Sequence, residues 1–71
     1  MERFGEKLRT LRKQHGLTMR QLADIFDLKS TGHVTDLEKG RTYPSAHLVL
    51  KISLYFNIST DKLMHDNLEL D

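Results

Sequence analysis

Apolar residues recur at helical spacing along almost the whole chain, and nowhere do they alternate as a strand requires. Phe4, Leu8 and Leu11 fall at i, i+4 and i+7, which predicts a first helix from about Arg3 to His15, with Gly16 as its stop. Thr18 and Gln21 spell a capping box, in which hydroxyl and amide each satisfy a donor at the helix start. A second helix then runs from Met19 to Phe26 or Asp27, with Leu22, Ala23, Ile25 and Phe26 as a narrow apolar face. The small Ala23 lets another helix pass close by.

Asp27-Leu28-Lys29-Ser30 reads as a turn with Leu28 as the inward anchor. Ser30 or Thr31 can cap a third helix whose buried side is Val34 and Leu37, and Gly40 ends it. Tyr43 must be extended because Pro44 follows it. Ser45 caps a fourth helix with Val49, Ile52 and Phe56 on its apolar side, and Asn57 supplies a left-handed stop. Ile58 plugs the core. Ser59 caps a short fifth helix, Thr60 to about His65, that turns Leu63 and Met64 inward and places Asp61 in its first turn, where the helix dipole favours a negative charge. The pattern predicts an all-α fold of five short helices around one small core. Residues 1–66 form a single domain, and residues 67–71 are a short tail that either frays or lies at a dimer contact.

Composition removes several function classes. Seventy-one residues make one domain, which buries only about 60% of the surface its unfolded form exposes. The absence of cysteine excludes disulfides and thiolate zinc sites. His15, His33, His47 and His65 include no i, i+3 or i, i+4 pair, so no metal is expected. No nucleophile–base set, glycine-rich phosphate loop or paired-carboxylate pocket is spelled, so neither enzymatic activity nor a cofactor is expected. No apolar run approaches a membrane span and MERFGEKLRT is not a signal peptide, which predicts a cytoplasmic protein with no membrane partner. Asn57-Ile58-Ser59 fits a glycosylation acceptor only by spelling.

Net charge is +1, but its distribution is uneven. Residues 1–41 hold nine Lys/Arg against six Asp/Glu, and residues 42–71 hold two against four. The basic half contains the second and third helices, and a helix pair with a polar, basic second member is a means of placing side chains in the DNA major groove.

The order Leu17-Thr18, Gln21-Leu22-Ala23, Val34 to Gly40 (VTDLEKG), Pro44-Ser45, Asn57-Ile58-Ser59 and Asp61-Lys62-Leu63 resembles the Cro/C1-type (XRE) helix-turn-helix family, which includes the lambda-type repressors. The resemblance extends from about Phe4 to Met64. It implies a lambda-repressor-like DNA-binding domain with the helix-turn-helix at helices 2 and 3. Two departures fall at the start of the third helix: Asp27 stands where the family's turn usually has glycine, and one extra residue lies between Leu28 and Val34.

The resemblance further implies that the third helix enters the major groove while the second crosses the backbone with its N-terminal end toward a phosphate. Wrapping residues 29–39 at 100° each puts Val34, Leu37 and Glu38 on one side. Lys29, Gly32, Asp36 and Lys39 fall opposite, flanked by His33 and Thr35. Thr31, Gly32, His33, Thr35 and Asp36 are therefore the candidate base-reading residues. Asp36 either accepts from a cytosine amino group or is a solvated helix residue. Gly32 either allows close backbone approach or relieves the longer turn. Arg20, Lys29, Lys39 and Arg41, with Thr18, Ser30 and Tyr43, are the candidate phosphate contacts, which position without reading sequence. Arg12 and Glu38 match family positions that form an ion pair joining helix 1 to the recognition helix.

The expected function is sequence-specific binding of double-stranded DNA by a transcriptional regulator, a repressor, acting as a homodimer on a pseudo-palindromic operator. Leu54, Tyr55, Leu68 and Leu70 are candidate dimer contacts. A regulatory partner protein is a further candidate. The alternative is a protein-interaction module of the same fold, for example an antitoxin-like partner-binding protein.

Overall fold

Five helices follow one another without a strand: α1 (Phe4–Gln14), α2 (Met19–Ile25), α3 (Thr31–Glu38), α4 (Ala46–Phe56) and α5 (Thr60–Met64). The computed structural model describes residues 1–71. α3 packs between α1 and α2, while α5 joins α4 to α1. Thirteen apolar side chains from all five helices and the end of α2 make one core, with Leu8, Leu22, Val34, Leu37, Ile52 and Leu63 fully enclosed.

Local chemistry sets each boundary. Thr18 Oγ1 accepts from the Gln21 N–H at 3.0 Å and Gln21 Oε1 accepts from the Thr18 N–H at 2.9 Å, so the capping box closes on both sides. Ser45 and Ser59 cap α4 and α5 from one side only, their hydroxyl oxygens accepting from the Leu48 and Lys62 N–H groups. Ser30 occupies the N-cap of α3, but its side chain makes no capping hydrogen bond. Asn57 ends α4 with φ of 54°, the left-handed stop its position called for.

Four apolar residues sit differently from the sequence expectation. Ile25 and Met64 are exposed, because Phe26 and Leu63 fill the inward positions beside them. Leu48 is buried and widens the inner face of α4 beyond Val49, Ile52 and Phe56. Leu70 is partly buried against the core rather than lying wholly outside it. The segment around it is tied down. Asp66 accepts from the N–H groups of Glu2 and Arg3, and Arg3 grips Glu69 through both terminal nitrogens at 2.9 and 3.0 Å. These bonds hold residues 66–69 against the start of α1.

Candidate nucleic-acid interface

The α2–α3 corner turns within five residues. Phe26 caps α2, Asp27 takes φ of 56°, and the Leu28 N–H donates back to the Ala23 carbonyl at 2.8 Å. This closes the helix end as a glycine would, with aspartate accepting the left-handed conformation instead. Leu28 then packs on the core, and α3 leaves at Ser30.

Two contacts with α1 fix the far end of α3. Gly5 lies so close that a Cβ there would fall inside contact distance of the Leu37 and Glu38 carbonyl oxygens. Arg12 reaches across to Glu38 with two parallel bonds, Nε to Oε2 at 2.7 Å and Nη2 to Oε1 at 3.2 Å, and its Nη1 donates to the Leu17 carbonyl at 3.1 Å. Both side chains are nearly enclosed. The hydrogen bonds to Glu38 hold the Arg12 pKa above its ordinary value, despite the burial that opposes its charge. One guanidinium therefore joins α1, the α1–α2 connection and α3.

With Val34 and Leu37 buried, the opposite side of α3 faces outward. Thr31, Gly32 and Lys39 are exposed there. Asp36 is half-buried, and its carboxylate lies 3.5 Å from Arg41 Nη1. His33 and Thr35 occupy the flanks. His33 lines a cleft of about 330 Å³ with Tyr43, Pro44 and His47. The Thr35 hydroxyl lies within bonding reach of the Thr31 carbonyl, at 3.1 Å, and of the Met19 sulfur, at 3.4 Å. Either bond uses the one hydroxyl proton, so the oxygen still has lone pairs with which to accept from a ligand.

Arg20, Lys29, Lys39 and Arg41 are all exposed, as are Thr18, Ser30 and Tyr43. Arg20 has Asp24 at 3.6 Å and Arg41 has Asp36 at 3.5 Å, both as solvated surface pairs. Pairs of this kind are worth less than about 1 kcal/mol and open readily toward a better anion. The sequence reading passed over Arg9, which is exposed and lines a recess of about 200 Å³ with Met19, Thr35, Glu38 and Lys39. The signal lay in its spacing: Arg9 precedes Arg12 by three positions and so shares the side of α1 that faces α3.

Residues 8–63 match the profile of a family described as helix-turn-helix. The chain belongs to the Cro/C1-type (XRE) helix-turn-helix family. Among family relatives, it is 34% identical over 61 residues to an HTH-type transcriptional activator, BcrR, of Enterococcus faecalis, covering 86% of this chain and 29% of that protein. It is also 34% identical over 64 residues to an HTH-type transcriptional regulator, DdrOP3, of Deinococcus deserti, covering 90% of this chain and 46% of that protein. A crystal structure of a transcriptional regulator from Listeria innocua superposes with a TM-score of 0.79 at 33% identity, covering 84% of this chain and 55% of that one. The chain thus spans less than half the length of the two curated relatives. Both curated relatives carry names that describe regulators of transcription. No helix is long and apolar enough to cross a membrane.

Proposed function

We propose that this helix-turn-helix protein binds double-stranded DNA sequence-specifically and regulates transcription by occupying a promoter. The observation that carries the reading is the outer face of α3. It is held from behind by the Arg12–Glu38 fork and presents Thr31, Gly32, Asp36 and Lys39 outward, with cations on the adjoining elements. Thr31 and Asp36 read base edges, with His33 and Thr35 at the margins. Arg9, Arg20, Lys29, Lys39 and Arg41 neutralise phosphates, with Thr18, Ser30 and Tyr43 alongside, and set the register of α3 in the groove. Repression is the mode proposed, because occupancy of a promoter needs nothing beyond this surface. The activator name belongs to a relative of which the chain spans 29%.

One small domain contacts few base pairs, so the proposal includes a homodimer on a pseudo-palindromic site. Leu54 and Tyr55 are exposed on α4 together with Leu50, which precedes Leu54 by one turn, and Leu68 is exposed nearby in sequence to the tied-down tail. The α4 residues are the proposed contact. That same apolar strip favours the second reading, a module that holds a partner protein.

Selection of bound duplexes from a random pool, followed by gel shifts at two salt concentrations, tests the reading. An enriched motif is expected, with log K falling against log[salt] by about 0.9 per neutralised phosphate. No enriched motif and no shift at low salt would sink it. Affinity for a protein partner that is indifferent to salt would favour the second reading.

A further inference from the structure

We infer that Gly32 is the point of closest approach between α3 and the base edges of the major groove; this rests on the DNA-docking reading of α3. The fold does not explain a glycine here. Gly16 and Gly40 have φ of 65° and 75°, and Gly5 is pressed against α3, so each of these has a structural reason. Gly32 has none. It lies in the first turn of an eight-residue helix with ordinary helical φ, and a Cβ added to it would meet only the Ser30 Oγ, at 3.4 Å. Alanine fits that space and is the better helix former. The turn therefore does not need the glycine, although the connection from Leu28 is long by one residue.

What glycine supplies at this position is a bare backbone on the exposed side of α3. Thr31 stands beside it, and Asp36 and Lys39 follow along the same outward face. A side chain at position 32 would stand at the front of that surface and hold the helix away from the groove. Its absence lets Thr31 and Asp36, both short, reach base edges that a helix carrying longer groups would meet from farther out.

The test compares the parent with Gly32→Ala and Gly32→Leu on a selected site and on random-sequence duplex, alongside thermal unfolding. Both variants are expected to unfold no lower than the parent. Gly32→Ala is expected to lose about tenfold in affinity for the selected site, the scale of one lost base contact, and Gly32→Leu more. Affinity for random duplex is expected to hold, because the phosphate contacts are untouched. Gly32→Ala binding the selected site within about twofold of the parent overturns the inference while leaving DNA binding intact. So does an equal loss on both duplexes, which would place the contact at the backbone. A parent that enriches no sequence overturns the docking reading and this inference with it.

Discussion

Arg12 and Glu38, separated by 26 positions in the chain, meet through two parallel hydrogen bonds in an almost enclosed site between α1 and the C-terminal end of α3. Removing either partner leaves a charge out of water with nothing to answer it, whereas the intact pair mainly fixes geometry. Arg12→Ala is expected to cost about 3 kcal/mol or more in urea unfolding, and Arg12→Met with Glu38→Leu to recover much of that. Arg12→Lys keeps the charge but not the fork. We expect it to stay helical by circular dichroism while losing affinity for a selected operator several-fold, because α3 is no longer held at two points. Parental affinity in Arg12→Lys would show that the fork does not orient α3.

Lys7 is a second buried cation, and it serves the opposite end of α1. Its Nζ lies 2.6 Å from both the Lys62 and His65 carbonyls, so it closes the C-terminal end of α5, where carbonyls lack helical partners. Lys7→Met preserves the apolar stem and strands those acceptors. A loss of about 2 kcal/mol is expected in urea unfolding, with DNA affinity per folded molecule unchanged, since α3 lies elsewhere.

Asp27 carries backbone strain that glycine would release. With φ of 56° it holds a conformation that costs an L-residue energy, and its side chain is exposed. Asp27→Gly is therefore expected to raise stability by roughly 0.5–1 kcal/mol, read from the urea midpoint at unchanged slope. A fall in the midpoint would mean that the carboxylate supports the turn in some further way.

Acid should loosen the tail before the core. Hydrogen bonds from the N–H groups of Arg3 and Glu2 hold the Asp66 pKa below its ordinary 3.8, and the Arg3 guanidinium holds Glu69 below its ordinary 4.5. A carboxyl whose folded pKa is depressed adds stability that is complete above the unfolded value and fades as pH falls through the folded one. The melting temperature should therefore fall as pH drops below about 4, and Asp66→Asn with Glu69→Gln should flatten that fall. An equally steep fall in the double variant would assign the acid sensitivity to other groups.

How much of this was legible in the sequence depended on the range of the interaction. The capping box at Thr18 and Gln21, the serine caps of α4 and α5, and the left-handed stop at Asn57 are local, and spacing alone locates them. Periodicity found most of the core but divided adjacent apolar residues wrongly at Ile25 and Met64. A period of 3.6 does not say which of two neighbours turns inward at a helix end. Lys7 and Gly5 were missed because their reasons lie in α5 and α3, far along the chain. A glycine within the body of α1, on the flank it shares with Arg12, was the available signal for close backbone approach. The outer face of α3 followed from arithmetic at 100° per residue, but not the engagement of Thr35 with Met19 and Thr31, which depends on how α2 crosses α3.

The central claim is that the outward face of α3 reads base sequence while the surrounding cations hold the backbone. Selection from a random duplex pool should be run on the parent, on Thr31→Ala with Asp36→Ala, and on Lys29→Ala with Arg41→Ala. The α3 variant is predicted to enrich a different or relaxed motif with its salt slope retained. The cation variant is predicted to enrich the parental motif with a slope shallower by about 1.8, two phosphates at 0.9 each. An α3 variant that enriches the parental motif at parental affinity would contradict the account.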